Sequence, residues 1–167
     1  MKLDKDKTML VLRVNDFQSI HFIEAHQDLI NRHGTVWMLK AGRPLASKSL
    51  NTIKNEGNHL ILKEPKKAGG RYYLCHILDV YEGLANKDMV YPSYYQQLDS
   101  ANISLRGTWL LIEGIIPINE DVLDHIVLVK GGKRMTEIVN STRSPILFVK
   151  SLIDLIEVQG IMCQEGV

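Results

Sequence analysis

Cysteine is nearly absent from this chain: there are two, Cys75 and Cys163, in 167 residues. They lie far apart and match no metal-ligand or redox spacing, and Cys75 sits inside an apolar run, so a disulfide framework is excluded and a reducing, cytoplasmic setting is expected. No apolar stretch approaches the roughly 20 residues needed to cross a bilayer, and Met1 to Lys7 is charged rather than signal-like. A charge excess is missing too. Lys and Arg number 20 against 19 Asp and Glu, leaving a formal +1, so any nucleic-acid face has to be local.

What is there is ordinary for one folded unit: 45% apolar and 23% charged residues supply a buried interior. We read residues 1–167 as a single domain, with a core over about 8–158 and a tail at 159–167. Basic residues gather beside glycines in three places, at Lys40, Arg43 and Lys48, at Lys66, Lys67 and Arg71, and at Lys130, Lys133 and Arg134. Each is a candidate phosphate contact, although a charge run is more often a solvated loop.

Hydropathy patterning predicts a strand over Thr8 to Val14, then Asn15-Asp16 capping a helix that runs to about Arg32 and stops at Gly34. Thr35 to Leu39 reads as a short strand, and Leu50 to Asn55 as one or two helical turns. His59 to Lys63 and Tyr72 to Val80 flank a charged, glycine-bearing turn and read as an antiparallel hairpin. A long polar connection, Glu82 to Asn102, is expected to carry a short helix near Tyr94 to Leu98. Thr108 to Ile118 returns to strand character, with Gly114 at a bulge. Asn119 caps a helix through His125, and Ile126–Val129 with Met135–Val139 form a second hairpin around Gly131-Gly132. The segment after Ser144-Pro145 fits either a helix carrying Phe148, Leu152 and Leu155 or a last strand, ILFV. Strands outnumber helices without regular βαβ alternation, which favours a mixed α+β domain with a curved sheet or partly open barrel.

Catalytic patterns are scarce. Gly69-Gly70-Arg71 and Gly131-Gly132-Lys133 have neither P-loop nor dinucleotide spacing and read as turn glycines. His21 and His26 are five apart on a helix and His33 lies beyond its end, so they do not form an i, i+4 metal face. His76 follows Cys75 on a strand, where neighbours point to opposite faces, so it reads as structural. Glu120, Asp121 and Asp124 suit the first turns of a helix. No catalytic residue, cofactor or metal is expected.

Aromatic placement is the positive signal. Trp37 precedes a Gly-Arg-Pro loop, and Tyr91, Tyr94 and Tyr95 crowd one polar connection; rings among basic and amide groups are what base stacking requires. The alternative is that Trp37 faces the core and the tyrosines cover it.

The order VLRVND, helix, GTVWMLKAGRP, then the hairpin LILKEPKKAGGRYYLCHILDV, then GTWLLIEGIIPI and VKGGKRMTEI resembles the YTH and EVE families of the PUA-like superfamily over most of the chain. That resemblance implies a PUA-like, partly open β-barrel flanked by helices and a pocket for a flipped, modified base. Trp37 would be its principal wall, Asn15 a polar group on the base edge, Met38 the residue after the wall, and Tyr91, Tyr94 or Tyr95 a further wall. Arg134 would meet the phosphate backbone, joined by Lys40, Arg43, Lys48 and Lys133 from the basic clusters, while Trp109 belongs to the core. Met38 stands where the eukaryotic readers have Ser or Thr, which brings the chain nearer to the bacterial and archaeal EVE-like branch. Such modules serve modification-dependent restriction systems of the McrB type, which implies DNA or RNA as partner, a fused or associated NTPase or nuclease, and no membrane. Other expectations from the same superfamily are an RNA-binding module without modification specificity and an ASCH-like enzyme on small molecules or nucleotides.

Overall fold

The structure, a computed structural model, describes residues 3–40, 43–56, 58–100, 105–138 and 146–154. Among these, seven strands form one open sheet, with five α-helices packed around it. The chain is therefore mixed α+β, and the sheet does not close into a barrel. The strands are β1 (Thr8–Arg13), β2 (Val36–Lys40), β3 (His59–Lys63), β4 (Tyr72–Leu84), β5 (Arg106–Ile118), β6 (Ile126–Leu128) and β7 (Ile146–Ser151), in the order β2-β5-β4-β3-β1-β7-β6. The helices are α1 (Phe22–His33), α2 (Ser47–Asn55), α3 (Tyr95–Ser100), α4 (Glu120–Leu123) and α5 (Met135–Ile138).

Strand β1 shows why the sheet has two faces to fill. It is parallel to β3 and antiparallel to β7, and its apolar run is buried on both sides. Leu10 and Leu12 belong to one core with Leu60, Leu62 and the α1 residues Phe22 and Leu29. Met9 and Val11 belong to a second core with Val122, Ile126, Met135 and Val149. Alternation along a strand sends neighbours to opposite faces, so one sequence run serves both cores. Val36 and Met38 of β2 share the first core with β1, although four strand-to-strand steps separate them in the sheet. The sheet therefore curves to bring these two strands around one interior. A third cluster surrounds the fully buried Trp109, with Leu39, Tyr94 and Tyr95.

The predicted β3–β4 hairpin forms, with β4 extended to Leu84. Gly114 is the bulge: Cys75 pairs with Ile115 and His76 with Glu113, leaving Gly114 out of the ladder at φ 69. The Asn119 side chain caps α4, accepting from the Val122 N–H at 3.0 Å. The segment ILFV lies in strand β7.

Two expectations fail. The second hairpin is absent: Met135 to Ile138 is helix α5, and a lone bridge between Val127 and Arg134 is what remains of the pairing. Met135 and Ile138 are three apart and both buried in the second core, so a helical period of buried side chains outweighs strand propensity. The start of α1 also differs, although Asp16 of the expected Asn15-Asp16 pair does cap it. The helix starts at Phe22, where the N-cap residue, His21, makes no side-chain cap; Asp16, from outside the helix, accepts the Phe22 N–H at 2.8 Å. The expectations on Val139, Ser144, Pro145, Leu155, Cys163 and the tail lie outside the described residues.

Gly34 ends α1 in the left-handed region, φ 86, with its N–H on the Ile30 carbonyl at 2.7 Å. A Cβ there would meet nothing within 4 Å, so the cost of a side chain is backbone strain alone. Gly34→Ala is expected to destabilise by about 1 kcal/mol, read as a lower denaturation midpoint at unchanged slope. An unaltered midpoint would contradict the left-handed cap.

Candidate functional site

An open cavity of about 410 Å³ lies where the C-terminal end of β1 approaches β2 and α3. The end of β1 and the residues after it contribute Leu12, Arg13, Val14, Asn15, Asp16 and Phe17; α1 gives Phe22; β2 gives Met38, Leu39 and Lys40; the α3 region gives Tyr94, Tyr95 and Leu98. Its volume falls in the range usual for small-ligand sites, roughly 300–1,000 Å³.

Local hydrogen bonds fix the lining. Phe17 and Ile20 exchange backbone bonds at 3.0 and 2.9 Å around Gln18 and Ser19, and Gln18 carries φ 55, a conformation rare outside glycine. This tight turn sets the Phe17 ring near-parallel to Tyr94, 14° between planes and 6.1 Å between centroids. Asp16 is held at both oxygens, by the Phe22 N–H and by His21 Nδ1 at 2.9 Å.

Behind the wall runs a buried chain. The Leu39 N–H donates to the Tyr95 hydroxyl at 3.3 Å, that hydroxyl donates to His26 Nε2 at 2.6 Å, and His26 Nδ1 donates to the Phe22 carbonyl at 2.7 Å. A carbonyl can only accept, so Nδ1 carries a proton, and burial, which disfavours the charged ring, leaves Nε2 free to accept from Tyr95. Its ring also stacks on Phe22, 3.8 Å between centroids. Burial raises the Tyr94 and Tyr95 phenols well above their ordinary value, so both remain neutral.

Of the residues expected from sequence, Asn15, Met38, Tyr94, Tyr95 and Lys40 converge on this cavity. Trp37 does not line it. Its strand neighbour Met38 faces the first core, while Trp37, half-buried, packs with the Trp109 cluster. Tyr91 is likewise turned away, its ring 5.4 Å from Tyr95 and 5.3 Å from Trp109. Lys40 Nζ donates to the Arg43 carbonyl at 2.7 Å, and partial burial lowers its pKa. Arg43 is exposed nearby in sequence, and Lys48 sits over the Phe148 ring at 5.1 Å. Lys133 and Arg134 follow β6, at the opposite edge of the sheet from β2. Arg134 Nη1 contacts both Asp124 oxygens, at 3.2 and 3.3 Å. In the middle cluster Arg71 is committed to the buried Glu64 carboxylate at 2.7 Å. Cys75 is fully buried, and burial pushes its thiol far from the reactive form.

Sequence reasoning missed Arg13, Asp16, Phe17, Phe22 and His26 as parts of the site or its support. One signal was available: Arg13 ends a buried strand and Val14 to Phe17 directly follow it, the position where sheets present groups to ligands.

Burial lowers the His26 pKa to about 4 from an ordinary 6.5. A depressed histidine contributes stability that is complete above pH 6.5 and is lost as pH falls toward 4, in total on the order of 3 kcal/mol. His21 runs the other way: its hydrogen bond to Asp16 and then their charge attraction raise its pKa, so its contribution is present below 6.5 and lost as pH rises through that raised value. Side-chain NMR titration should show His21 with a midpoint above 6.5 and His26 silent down to about pH 5. A His26 midpoint near 6.5 would contradict the neutral buried ring.

Comparison with known proteins leaves this site to be read from its geometry: no family model, curated protein or solved structure matches the chain.

Proposed function

We propose that this chain is a nucleic-acid-binding reader that accepts a flipped, modified base, of the methylated kind, in the cavity between β1, β2 and α3. In this reading the open curved sheet is a PUA-like scaffold of the EVE and YTH type. The observation that carries the reading is the composition of that cavity: aromatic and apolar walls from Phe17, Tyr94, Met38 and Leu98, with Asn15, Asp16, Arg13 and Lys40 among them.

A flat heterocycle needs a stacking face and a few polar groups at its edge. Phe17 and Tyr94 offer the faces, taking the role that sequence reasoning gave to Trp37. Asn15, exposed on the lining, supplies both a donor and an acceptor, and Asp16 supplies a carboxylate pre-set by two hydrogen bonds. Lys40, Arg43 and Arg13 are the cations suited to the strand's phosphates, in place of Arg134.

Extruding a base costs a few kcal/mol. Stacking returns roughly 1–3 kcal/mol per base, so edge hydrogen bonds and phosphate contacts must supply the rest. A buried methyl group then separates modified from unmodified strands by about 1–3 kcal/mol.

Anisotropy titration with matched methylated and unmodified oligonucleotides, DNA and RNA, tests this directly. Wild type should prefer one methylated strand by about 10–100-fold. Asn15→Ala should erase most of that preference, and Trp37→Ala should leave it in place. Lys40→Ala and Arg43→Ala should weaken both strands alike and each lower the salt slope by about one. Equal binding of methylated and unmodified strands by wild type would sink the reader and leave a nucleic-acid module without modification specificity.

A further inference from the structure

A second constellation lies on β3, β4 and β5, away from the cavity. His59 stands at the start of β3, whereas the cavity lies beyond the end of β1, which runs parallel to β3. In the ladder His59 is directly opposite His76, and His76 is directly opposite Glu113. Directly opposed residues share a face and sit close enough for their side chains to meet. The two imidazole centroids are 5.3 Å apart with 38° between planes, and His76 Nδ1 donates to Glu113 Oε1 at 2.8 Å. His59 and His76 are half-buried and Glu113 is exposed, so the row is open to solvent. The Gly114 bulge adjoins Glu113, and bulges commonly re-aim a neighbouring side chain.

We propose that His59 and His76 chelate one divalent transition-metal ion, of the copper, nickel or zinc class, with Glu113 as the positioning residue for His76. The spacing supports it: two imidazoles on adjacent positions of one ion, through bonds of about 2.0–2.1 Å, hold their centroids roughly 4.5 Å apart at the right angle copper and nickel favour and roughly 5 Å apart at the tetrahedral angle of zinc, close to the separation already present. The tautomer supports it as well. With the His76 Nδ1 proton directed at Glu113, Nε2 of His76 carries the lone pair that ligates, and a carboxylate behind a metal-bound histidine fixes the ring and raises its basicity. His59 has two ring nitrogens and needs to contribute one. Glu113 lies across His76 from His59 and completes no third ligand; among the described residues no group of three or more His, Cys, Asp or Glu is arranged to hold an ion. Water fills the remaining positions, and the ion braces β3 against β4. Imidazole ligands give the order Cu²⁺ above Ni²⁺, with Zn²⁺ below Cu²⁺.

The experiment is calorimetric titration of NiCl₂, and separately CuCl₂, into the full untagged chain in a non-chelating buffer. One saturable ion per chain is expected, with nitrogen hyperfine structure from two imidazoles in the Cu²⁺ spectrum. His59→Ala and His76→Ala should each weaken binding at least about tenfold, and Glu113→Gln about 10–100-fold, the usual loss when the group behind a ligand is removed. Circular dichroism of the metal-free variants checks their fold, and His59→Asn and His76→Asn replace any alanine variant that does not fold. Absence of saturable uptake, or wild-type affinity in both histidine variants, would overturn the site and assign any bound ion to other surface histidines.

Discussion

One phenol holds the cavity together. Tyr95 accepts from the backbone of β2 and donates to His26 of α1, so three elements distant in sequence meet at one buried oxygen. A buried polar group left without its partner costs about 1–3 kcal/mol, and three such groups, on Leu39, Tyr95 and His26, depend on this arrangement. Among the described residues no buried side-chain polar atom lacks a partner. The network is therefore fully satisfied, and a satisfied network in a low-dielectric interior specifies one geometry. The cavity wall inherits that rigidity, because Phe22, Leu39 and Tyr95 line it.

Curvature is the second constraint. Strands β1 and β2 lie four steps apart in the sheet yet contribute to one core. Right-handed twist and the Gly114 bulge are the ordinary sources of such bending. An open curved sheet leaves a gap between the two strands at one end, and the connection Asn15 to Ile20 with the start of α1 borders it. The cavity is thus a consequence of a sheet that curves without closing. Residues at its rim lie outside the sheet's seven strands, and that is where Asn15, Asp16 and Phe17 stand.

Local features of the fold were legible in the sequence. The β3–β4 hairpin announces itself through two apolar runs and a glycine turn, Gly114 through its place inside a strand pattern, and Asn119 through its capping chemistry. Each is settled by residues close together in sequence. The failures are non-local. Met135 to Ile138 becomes helix because Met135 and Ile138 find a core built by β1 and β6. Asp16 caps α1 from six residues before Phe22 because the Phe17–Ile20 turn folds the chain back on itself. For Trp37 the sequence offers no measure of depth: Met38, Leu39 and Lys40 of β2 line the cavity, while Trp37, one residue earlier on the strand, packs with the Trp109 cluster. The three tyrosines all join the Trp109 cluster, and of them Tyr94 and Tyr95 also reach the cavity while Tyr91 does not.

Charge explains which cations can act. The formal balance is near zero, and several cations are already engaged: Arg71 by Glu64, Arg134 by Asp124 and Lys150 by Asp6. The first of these involves a buried carboxylate that also accepts from the Arg71 N–H and the Tyr73 hydroxyl, so releasing its guanidinium for a phosphate would strand a charge in the interior. The Arg134 pair is exposed at both ends and holds less, since exposed ion pairs contribute at most about 1 kcal/mol, but it lies on the far edge of the sheet. Lys40 differs from both. Its ammonium bonds to a neutral carbonyl, keeps its full charge unneutralised, and is already partly desolvated at the cavity. The cost of drying it has been met in folding, so an anion arriving there gains more of the Coulomb attraction than it would beside a fully hydrated lysine.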